Sequence, residues 1–251
     1  MYLLIDAGNS RIKWLYGNNV PGIVEAASYR TDWQRKLYLA WHLLPEPDAI
    51  ALSSVNNPEI EKFVSELVQQ LWQKPVQIFT AQKHTNHTLT VAYDEPEKLG
   101  SDRYLAMLGA RSLTKEPFCV IGCGTAITLD AVNGEGQHLG GLILPGIRLA
   151  ENALIQNTQK LIPMRWTPKT LGTDTASCIG AGIHHALPAG VDHIIDELEA
   201  EYGYYFKRYA FGGDAQILFG NRPTYRIEPD LMFGGMIAHL APHTVCAQSQ
   251  S

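Results

Sequence analysis

The segment LLIDAGN at residues 3–9 decides the fold, because it returns in altered form as CVIGCGT at residues 119–125. In each copy an apolar run ends in a glycine turn, and a second strand-like segment follows, starting at Arg11 in the first copy and near Thr128 in the second. Glycine and asparagine tolerate the positive φ that tight hairpins require. Each copy therefore predicts a strand, a turn and a second strand.

The sequence after each hairpin also follows a common plan. Further strand-like sequence comes first, at residues 19–29 and 136–144, and apolar residues at helical spacing come next. The predicted helices are residues 32–44, 58–72, 101–114 and 173–201, and the predicted buried strands are residues 48–55 and 75–79. Similarity at half-chain spacing predicts a duplicated α/β domain, with one half at residues 1–116 and the other at residues 117–251.

Composition excludes several classes of protein. Of 251 residues, 45% are hydrophobic and 18% are charged, which is typical of a folded chain rather than a disordered one. No apolar run approaches the roughly 18 residues needed to span a bilayer. The opening MYLLID shows no secretory signal, so we expect a cytoplasmic protein with no membrane partner. A net charge of -5 argues against a nucleic-acid surface.

Cysteine and histidine usage gives no metal or disulfide pattern. Four cysteines are too few and too irregularly spaced for a disulfide framework, and we expect Cys119 and Cys123 to be small buried residues on the same face of a strand. The nine histidines show no ligand spacing and are expected at the surface or at helix ends.

The two glycine turns are candidate phosphate sites. Consecutive backbone N–H groups in such turns form a concavity that favours an anion, here residues 8–10 in one turn and 124–126 in the other. Asp6 stands at the end of its strand, where a carboxylate can hold Mg²⁺ directly or through water. Lys13 is a charge partner for phosphate oxygens. The alternative is two ordinary hairpins with a solvated lysine.

A third glycine turn, FGGDA at residues 211–215, follows the apolar and aromatic stretch 204–210. Glycines between a strand and a helix allow a flat ligand such as adenine to approach closely, although they also suit any strand-to-helix turn. Each of the three turns is weak evidence of function by itself, and only their order along the chain is informative.

Taken in order, the motifs resemble those of type III pantothenate kinases. DAGNSRIK at residues 6–13 resembles the first phosphate motif of that family, D-x-G-N-[ST]-x-x-K. GSDR at 100–103 resembles its G-x-D-R segment, GTAIT at 124–128 its second phosphate motif, and GGLILPG at 140–146 its G-G-x-I-x-P-G. The matches run from residue 3 to about residue 215.

This resemblance implies a fold, a reaction and an assembly. The fold is that of the acetate and sugar kinase, Hsp70 and actin superfamily, in which duplicated ribonuclease H-like (actin-like ATPase) domains enclose a nucleotide cleft. The reaction is ATP-dependent phosphorylation of pantothenate to 4'-phosphopantothenate, the first step of coenzyme A biosynthesis. The enzyme is expected to be a homodimer that uses Mg²⁺ with ATP.

The resemblance also assigns roles to individual residues. Asp102 matches the proton acceptor, and Arg103 matches a residue that binds the polar or carboxylate end of pantothenate. For Asp102 the alternative is a simple helix cap, and for Arg103 a surface arginine. The expected ATP contacts are Asp6, Ala7, Gly8, Asn9, Ser10, Arg11, Ile12, Lys13 and Thr125. The expected pantothenate contacts are Tyr93, Gly100, Ser101, Asp102, Arg103, Thr158 and Thr175, in a pocket completed by the partner subunit.

Two positions depart from the family pattern. Gly122 stands where the family has an aspartate that helps to hold a monovalent cation, so a K⁺ or NH₄⁺ site is in question and we expect weak stimulation by K⁺. Phe211 stands where the family commonly has threonine, so the adenine or ribose contacts there are expected to differ. Asp130 offers an alternative oxygen ligand for the cation unless it faces solvent.

Two other functions compete with pantothenate phosphorylation. One is a kinase for another small hydroxylated acid or a sugar. The other is a non-catalytic regulator similar to the Bvg accessory factor. The joint presence of Asp6, Lys13, Asp102 and Arg103 favours an active enzyme, because a binding scaffold does not need a base.

Overall fold

The computed structural model describes residues 1–54, 57–85, 88–156, 163–165 and 169–240. It divides into two compact units, the first formed by Met1–Leu113 together with the segment that begins at Asp230, and the second by Thr114–Pro229. The predicted boundary after residue 116 lies close to the first of these junctions. The prediction placed the C-terminal segment in the second half, whereas the structure places it in the first.

The first unit is built on a mixed five-stranded sheet. Its strands are β1 (Tyr2–Ala7), β2 (Arg11–Gly17), β3 (Val24–Ser28), β4 (Ala49–Ser54) and β5 (Gln77–Ile78), in the order β3-β2-β1-β4-β5. β1, β2 and β3 pair antiparallel, and β1, β4 and β5 pair parallel. The other elements are α1 (Trp33–Trp41), α2 (Pro58–Trp72), the small hairpin β6 (His84–Thr85) and β7 (Leu89–Thr90), a 3₁₀ turn (Pro96–Lys98) and α3 (Ser101–Leu113).

The two faces of this sheet differ. Because side chains alternate along a strand, Leu3, Ile5 and Ala7 share one face of β1 and Asp6 lies on the other. The first face is buried in an apolar core formed with α1 and α2. α2 begins at Pro58, after Asn57 accepts a hydrogen bond from the backbone N–H of Ile60, which is a standard helix start.

The second unit repeats the plan of the first. Its strands are β8 (Phe118–Cys123), β9 (Ala126–Val132), β10 (His138–Pro145), β11 (Lys207–Phe211) and β12 (Tyr225–Ile227), in the order β10-β9-β8-β11-β12. Its helices are α4 (Ile147–Gln156), α5 (Thr175–Tyr202) and α6 (Ala215–Phe219). Strand directions match those of the first sheet pair by pair. The shared order and directions confirm the predicted duplication.

One face of the second sheet carries the apolar core of its unit. Cys119 and Cys123 are buried there beside Ile121, as the sequence predicts. α5 covers this face and begins with a capping box, in which the Asp174 carboxylate accepts from the Ser177 N–H and the Ser177 side chain accepts from the Asp174 N–H.

The last helix, α7 (Leu231–Leu240), belongs to the first unit because it packs against α3 through two glycines. A Cβ at Gly109 would overlap the carbonyl oxygen of Leu231, and a Cβ at Gly235 would overlap that of Leu105. The two backbones therefore approach more closely than any larger residue allows. This contact corrects the predicted assignment of residues 230–240 to the second half.

Candidate active site

The turn between β1 and β2 is open to a ligand. Its backbone closes where the Gly8 N–H donates to the Arg11 carbonyl oxygen at 3.1 Å, and Asn9 and Ser10 are exposed. Neither Gly8 nor Asn9 has a positive φ, so the turn does not use glycine for the reason that the sequence suggests. A Cβ at Gly8 would meet only the Arg11 carbonyl oxygen, at an ordinary 3.5 Å. Packing therefore does not require glycine here. The absence of a side chain at Gly8 leaves its backbone accessible to a ligand.

Asp6, which pairs with Lys13 across β1 and β2, is the charged centre of this region. It is 9% exposed, and no described residue donates a hydrogen bond to its carboxylate. Burial raises the pKa of Asp6 to about 6; the positive charge of Lys13 opposes that shift, and the negative charge of Asp102 adds to it. A buried carboxylate without protein donors is a suitable ligand for a hard cation.

The N-terminus of α3 presents Asp102 to the same region. The Tyr104 N–H donates to the Gly100 carbonyl oxygen at 3.1 Å, so the helix starts within the GSDR segment. The Asp102 Oδ1 accepts the Arg103 N–H at 2.9 Å. This oxygen would lie 2.5 Å from a Cβ at position 100, so the carboxylate folds back over Gly100 and would have to move if a larger residue stood there. Asp102 contacts the helix start as a cap does, and the same contact orients it.

Arg103 and Tyr93 form a second pair beside this helix start. The Arg103 Nη1 donates to the Tyr93 hydroxyl at 3.1 Å, and the guanidinium carbon lies 5.9 Å from the centre of the tyrosine ring. Arg103 is only 6% exposed, so it is not the surface arginine of the alternative interpretation. The Lys83 Nζ donates to the Tyr93 carbonyl oxygen at 2.8 Å. The two predicted substrate residues therefore lie together.

One residue of this region escaped the sequence analysis. Ser53 on β4 is fully buried, pairs with Asp6 across the parallel strands, and places its Oγ 2.9 Å from the Ser101 Oγ. A serine within an apolar strand gives no signal of function, because small polar residues are common in such runs. Only the register of β4 against β1 brings Ser53 beside Asp6.

In the second unit, glycines of separate motifs surround the turn between β8 and β9. A Cβ at Gly146 would overlap the Gly124 carbonyl oxygen, and a Cβ at Gly212, whose φ is +100°, would overlap the Cys123 carbonyl oxygen. Packing thus requires both glycines. A Cβ at Gly124 would approach only the Ala126 carbonyl oxygen, at 4.0 Å, and nothing lies within 4 Å of one at Gly213. These two glycines leave backbone open for a ligand.

Gly122 and Phe211, the two residues that differ from the family pattern, lie next to each other. Gly122 pairs with Thr128 on β9 and with Phe211 on β11, so the three residues form one row across the sheet. A Cβ at Gly122 would lie 2.6 Å from the Thr128 Oγ1 and 3.1 Å from the Phe211 ring. The ring and the hydroxyl leave too little room for an aspartate at this position.

The other predicted residues of this unit have varied positions. Thr125 is exposed in the turn, and Thr175 is the exposed first residue of α5. Thr158 lies outside the described residues. Asp130 is buried, and its Oδ1 lies 3.0 Å from the Nε2 of the fully buried His138. Asp130 therefore does not face solvent, and the surface position expected for histidines is wrong for His138.

Comparisons with solved structures define the class of the protein. A Campylobacter jejuni protein, described as a conserved Baf family transcriptional activator, superposes with a TM-score of 0.62 at 21% identity, over 96% of this chain and 98% of its own. The activator of 2-hydroxyisocaproyl-CoA dehydratase from Clostridium difficile, solved with bound ADPNP, has a TM-score of 0.52 at 12% identity, over 95% and 92% of the two chains. With the duplicated sheets, these structures confirm the predicted actin-like ATPase fold.

Sequence comparison then identifies the family. The model of type III pantothenate kinase matches residues 2–197. A type III pantothenate kinase of Dichelobacter nodosus is 78% identical over 242 residues, which cover 96% of this chain and 98% of that protein. The chain belongs to the type III pantothenate kinase family. It is accordingly an enzyme that phosphorylates pantothenate with ATP, as the sequence predicts, and the regulatory alternative is not favoured.

Proposed function

We propose that this chain transfers the γ-phosphoryl group of ATP to the primary hydroxyl of pantothenate, with Asp102 as the proton acceptor. The observation that carries the proposal is the arrangement at the start of α3. There Asp102 lies close enough to Asp6 for the two carboxylates to interact, and Asp6 pairs with Lys13 beside the first glycine turn.

Phosphoryl transfer asks a protein mainly for positioning and charge stabilisation. A base that accepts the proton late in the reaction needs a fixed orientation rather than an unusual basicity. The hydrogen bond from the Arg103 N–H to the Asp102 Oδ1 supplies that orientation, because a backbone donor at a helix start cannot rotate away.

ATP binding is assigned to the first glycine turn and the residues around it. Lys13 neutralises phosphate charge, and the exposed turn offers backbone amides. Ile12 is fully buried, so it contributes its backbone alone. The complete proposed set is Asp6, Ala7, Gly8, Asn9, Ser10, Arg11, Ile12, Lys13 and, on the resemblance alone, Thr125.

The residues present fit a magnesium ion. Asp6 would hold Mg²⁺ directly or through water, since its carboxylate is buried and no described residue donates to it. The described residues contain no cluster of three acidic, cysteine or histidine side chains able to hold a metal. Mg²⁺ accompanying ATP does not need such a cluster, because it takes most of its ligands from phosphates and water. When bound, it would neutralise charge on the phosphate oxygens.

Pantothenate binding is assigned to the pair beside α3. Arg103 offers a guanidinium to the carboxylate end, and Tyr93 fixes its orientation from one side. Gly100 and Ser101 belong to the same helix start. Thr175, and Thr158 outside the described residues, complete the proposed set on the resemblance.

The residues do not fit the monovalent cation of the family. Phe211 and Thr128 occupy the space that an aspartate at position 122 needs, so no carboxylate ligand is available there. Asp130, the alternative ligand, is engaged with buried His138. We therefore expect K⁺ or NH₄⁺ to stimulate turnover weakly. A strong, saturable K⁺ requirement in a steady-state assay would contradict this.

The proposal includes a homodimer in the cytoplasm. Exposed apolar side chains on β10 and α4, namely Ile143, Leu149 and Leu154, support an interface on the second unit. Sedimentation of the purified protein tests it: a monomer at assay concentration would exclude a partner subunit from the pocket. The three described cysteines are free thiols, in keeping with a reducing compartment. None of the described helices has both the length and the apolar character to cross a bilayer.

A coupled assay tests the reaction and its base together. Purified protein with Mg-ATP should release ADP only when pantothenate is added, and Asp102→Asn should slow that release at least about a hundredfold without changing the circular dichroism spectrum. Glu97→Gln, at an exposed residue of the 3₁₀ turn, is the matched control and should retain full activity. ADP release that ignores pantothenate, or a fully active Asp102→Asn variant, would refute the proposal.

A further inference from the structure

Two buried serine hydroxyls connect the sheet to the helix that carries Asp102. Ser53 is 0% exposed and Ser101 is 8% exposed, and their Oγ atoms are 2.9 Å apart. The Ser101 hydroxyl also donates to the Ser54 carbonyl oxygen at 3.3 Å. Either hydroxyl can be the donor in the bond between the two serines. The chain of bonds thus runs from Ser53 through Ser101 to the backbone of β4.

The strand register places this chain beside the charged centre. Lys13, Asp6 and Ser53 are directly paired on β2, β1 and β4, so they form one row across the sheet. Paired residues of neighbouring strands point to the same face. Ser53 is therefore the third member of a row whose other two members are the charged residues of the proposed ATP site.

The rest of α3 is held differently. Beyond its first turn the helix packs against α7, where Gly235 faces the Leu105 carbonyl oxygen and Gly109 faces that of Leu231. The packing of α3 against α7 does not hold the first turn of α3, which is fixed by the contacts of its own residues. Among the described residues, the hydroxyl pair of Ser53 and Ser101 is a direct side-chain bond between this turn and the strand next to Asp6.

We propose that Ser53 is a positioning residue for phosphoryl transfer, whose hydroxyl fixes the first turn of α3 and so sets the position of Asp102 relative to Asp6. The inference rests on the proposed role of Asp102. Ser53 does not touch the reacting atoms, and it acts through Ser101. When a base is displaced by a fraction of an ångström, the enzyme still binds its substrates, but the substrate proton is transferred to the base less often.

The expected effect is on turnover rather than on binding. Ser53→Ala should lower kcat about fivefold to tenfold, because loss of this hydrogen bond frees the first turn of α3 and misplaces the base, while KM for ATP and pantothenate changes less than about twofold. Ser101→Ala also removes the bond to the Ser54 carbonyl oxygen and changes a residue of the proposed pantothenate set, so it should lower kcat at least as much. The double variant should be no worse than Ser101→Ala alone, because the bond between the two hydroxyls is already lost. Ser112→Ala, on the exposed side of the same helix, is the matched control.

Ser53→Cys separates positioning from packing. Cysteine fills the volume of serine but is a weak donor, so a positioning role predicts a kcat as low as that of Ser53→Ala. A packing role predicts a kcat like that of the wild type. Should Ser53→Ala fold poorly, Ser53→Cys and Ser101→Ala carry the same comparison, with melting temperatures confirming that each enzyme is folded in the assay.

The Asp102→Asn background provides the decisive comparison. With the base removed, Ser53→Ala should cause no further loss of residual turnover. A kcat in Ser53→Ala equal to wild type, or an equal loss in both backgrounds, would overturn the positioning role. Either result leaves the pantothenate kinase proposal intact, because that proposal stands or falls on pantothenate-dependent ADP release by the wild type.

Discussion

Replacing Asp6 by asparagine should stabilise the metal-free protein above neutral pH. Burial raises the pKa of Asp6 from 3.8 to about 6, so the folded state binds this proton more tightly than the unfolded state. Stability then falls as pH rises between these values, and ionising the group in the folded state costs about 3 kcal/mol at pH 8, from 1.36 kcal/mol per pKa unit. An asparagine side chain carries no charge and avoids this cost.

Urea unfolding in the presence of EDTA at several pH values measures the difference. Asp6→Asn should match the wild type near pH 4 and exceed it by up to about 3 kcal/mol at pH 8. Asp94→Asn, at an exposed aspartate of the same unit, should show no such pH-dependent gain. A stability difference that stays constant from pH 4 to pH 8 would refute the argument that Asp6 is buried at an energetic cost. Such a cost is expected of a group retained for cation binding.

Three further substitutions test other parts of the structure. Lys13→Met should raise KM for ATP at least about tenfold. It should also raise the pKa of Asp6 further, so the acid limb of the pH–rate profile should move to higher pH. An acid limb at the wild-type pH would contradict the pairing of Lys13 with Asp6. Gly235→Ala should destabilise the protein by about 3 kcal/mol or more, because the new Cβ overlaps the Leu105 carbonyl oxygen. In the control Gly234→Ala the new Cβ meets only Val20, at 3.4 Å, so the cost should be less than about 1 kcal/mol. Equal melting temperatures for the two variants would refute the close approach of α3 and α7. Gly122→Asp should lower the melting temperature without creating a K⁺ requirement, and a gain of K⁺ dependence would show that the Phe211 ring can move aside.

The local sequence predicts the elements whose apolar periodicity is strong. The helix at residues 58–72 has the predicted bounds, because Asn57 and Pro58 define its start and a regular apolar stripe continues to its end. The hairpins of β1 with β2 and of β8 with β9 follow from alternation around a glycine turn. Asp102 and Arg103 could be singled out because they lie in one short motif.

Features that depend on residues far apart in sequence were not predictable in this way. α7 is apolar apart from His239, so its own sequence does not show which unit it packs against, and its close contact with α3 at Gly235 depends on residues far away in the chain. Phe211 was recognised as a departure, but its contact with Gly122 depends on β11 pairing with β8. Ser53 and His138 were missed for the same reason, since each gains its partner from strand register or from a neighbouring element.

The position of α7 has a consequence for how the chain is made. The first unit is discontinuous in sequence, so the helix that carries Asp102 cannot pack against Gly235 until the whole second unit and α7 have left the ribosome. All residues of the second unit emerge earlier and are contiguous, so this unit can fold during synthesis while α3 still lacks its partner. A chain that stops before Leu231 would retain both glycine hairpins but leave α3 uncovered. If Asp102 is the base, as proposed, catalytic competence therefore waits for the synthesis of α7.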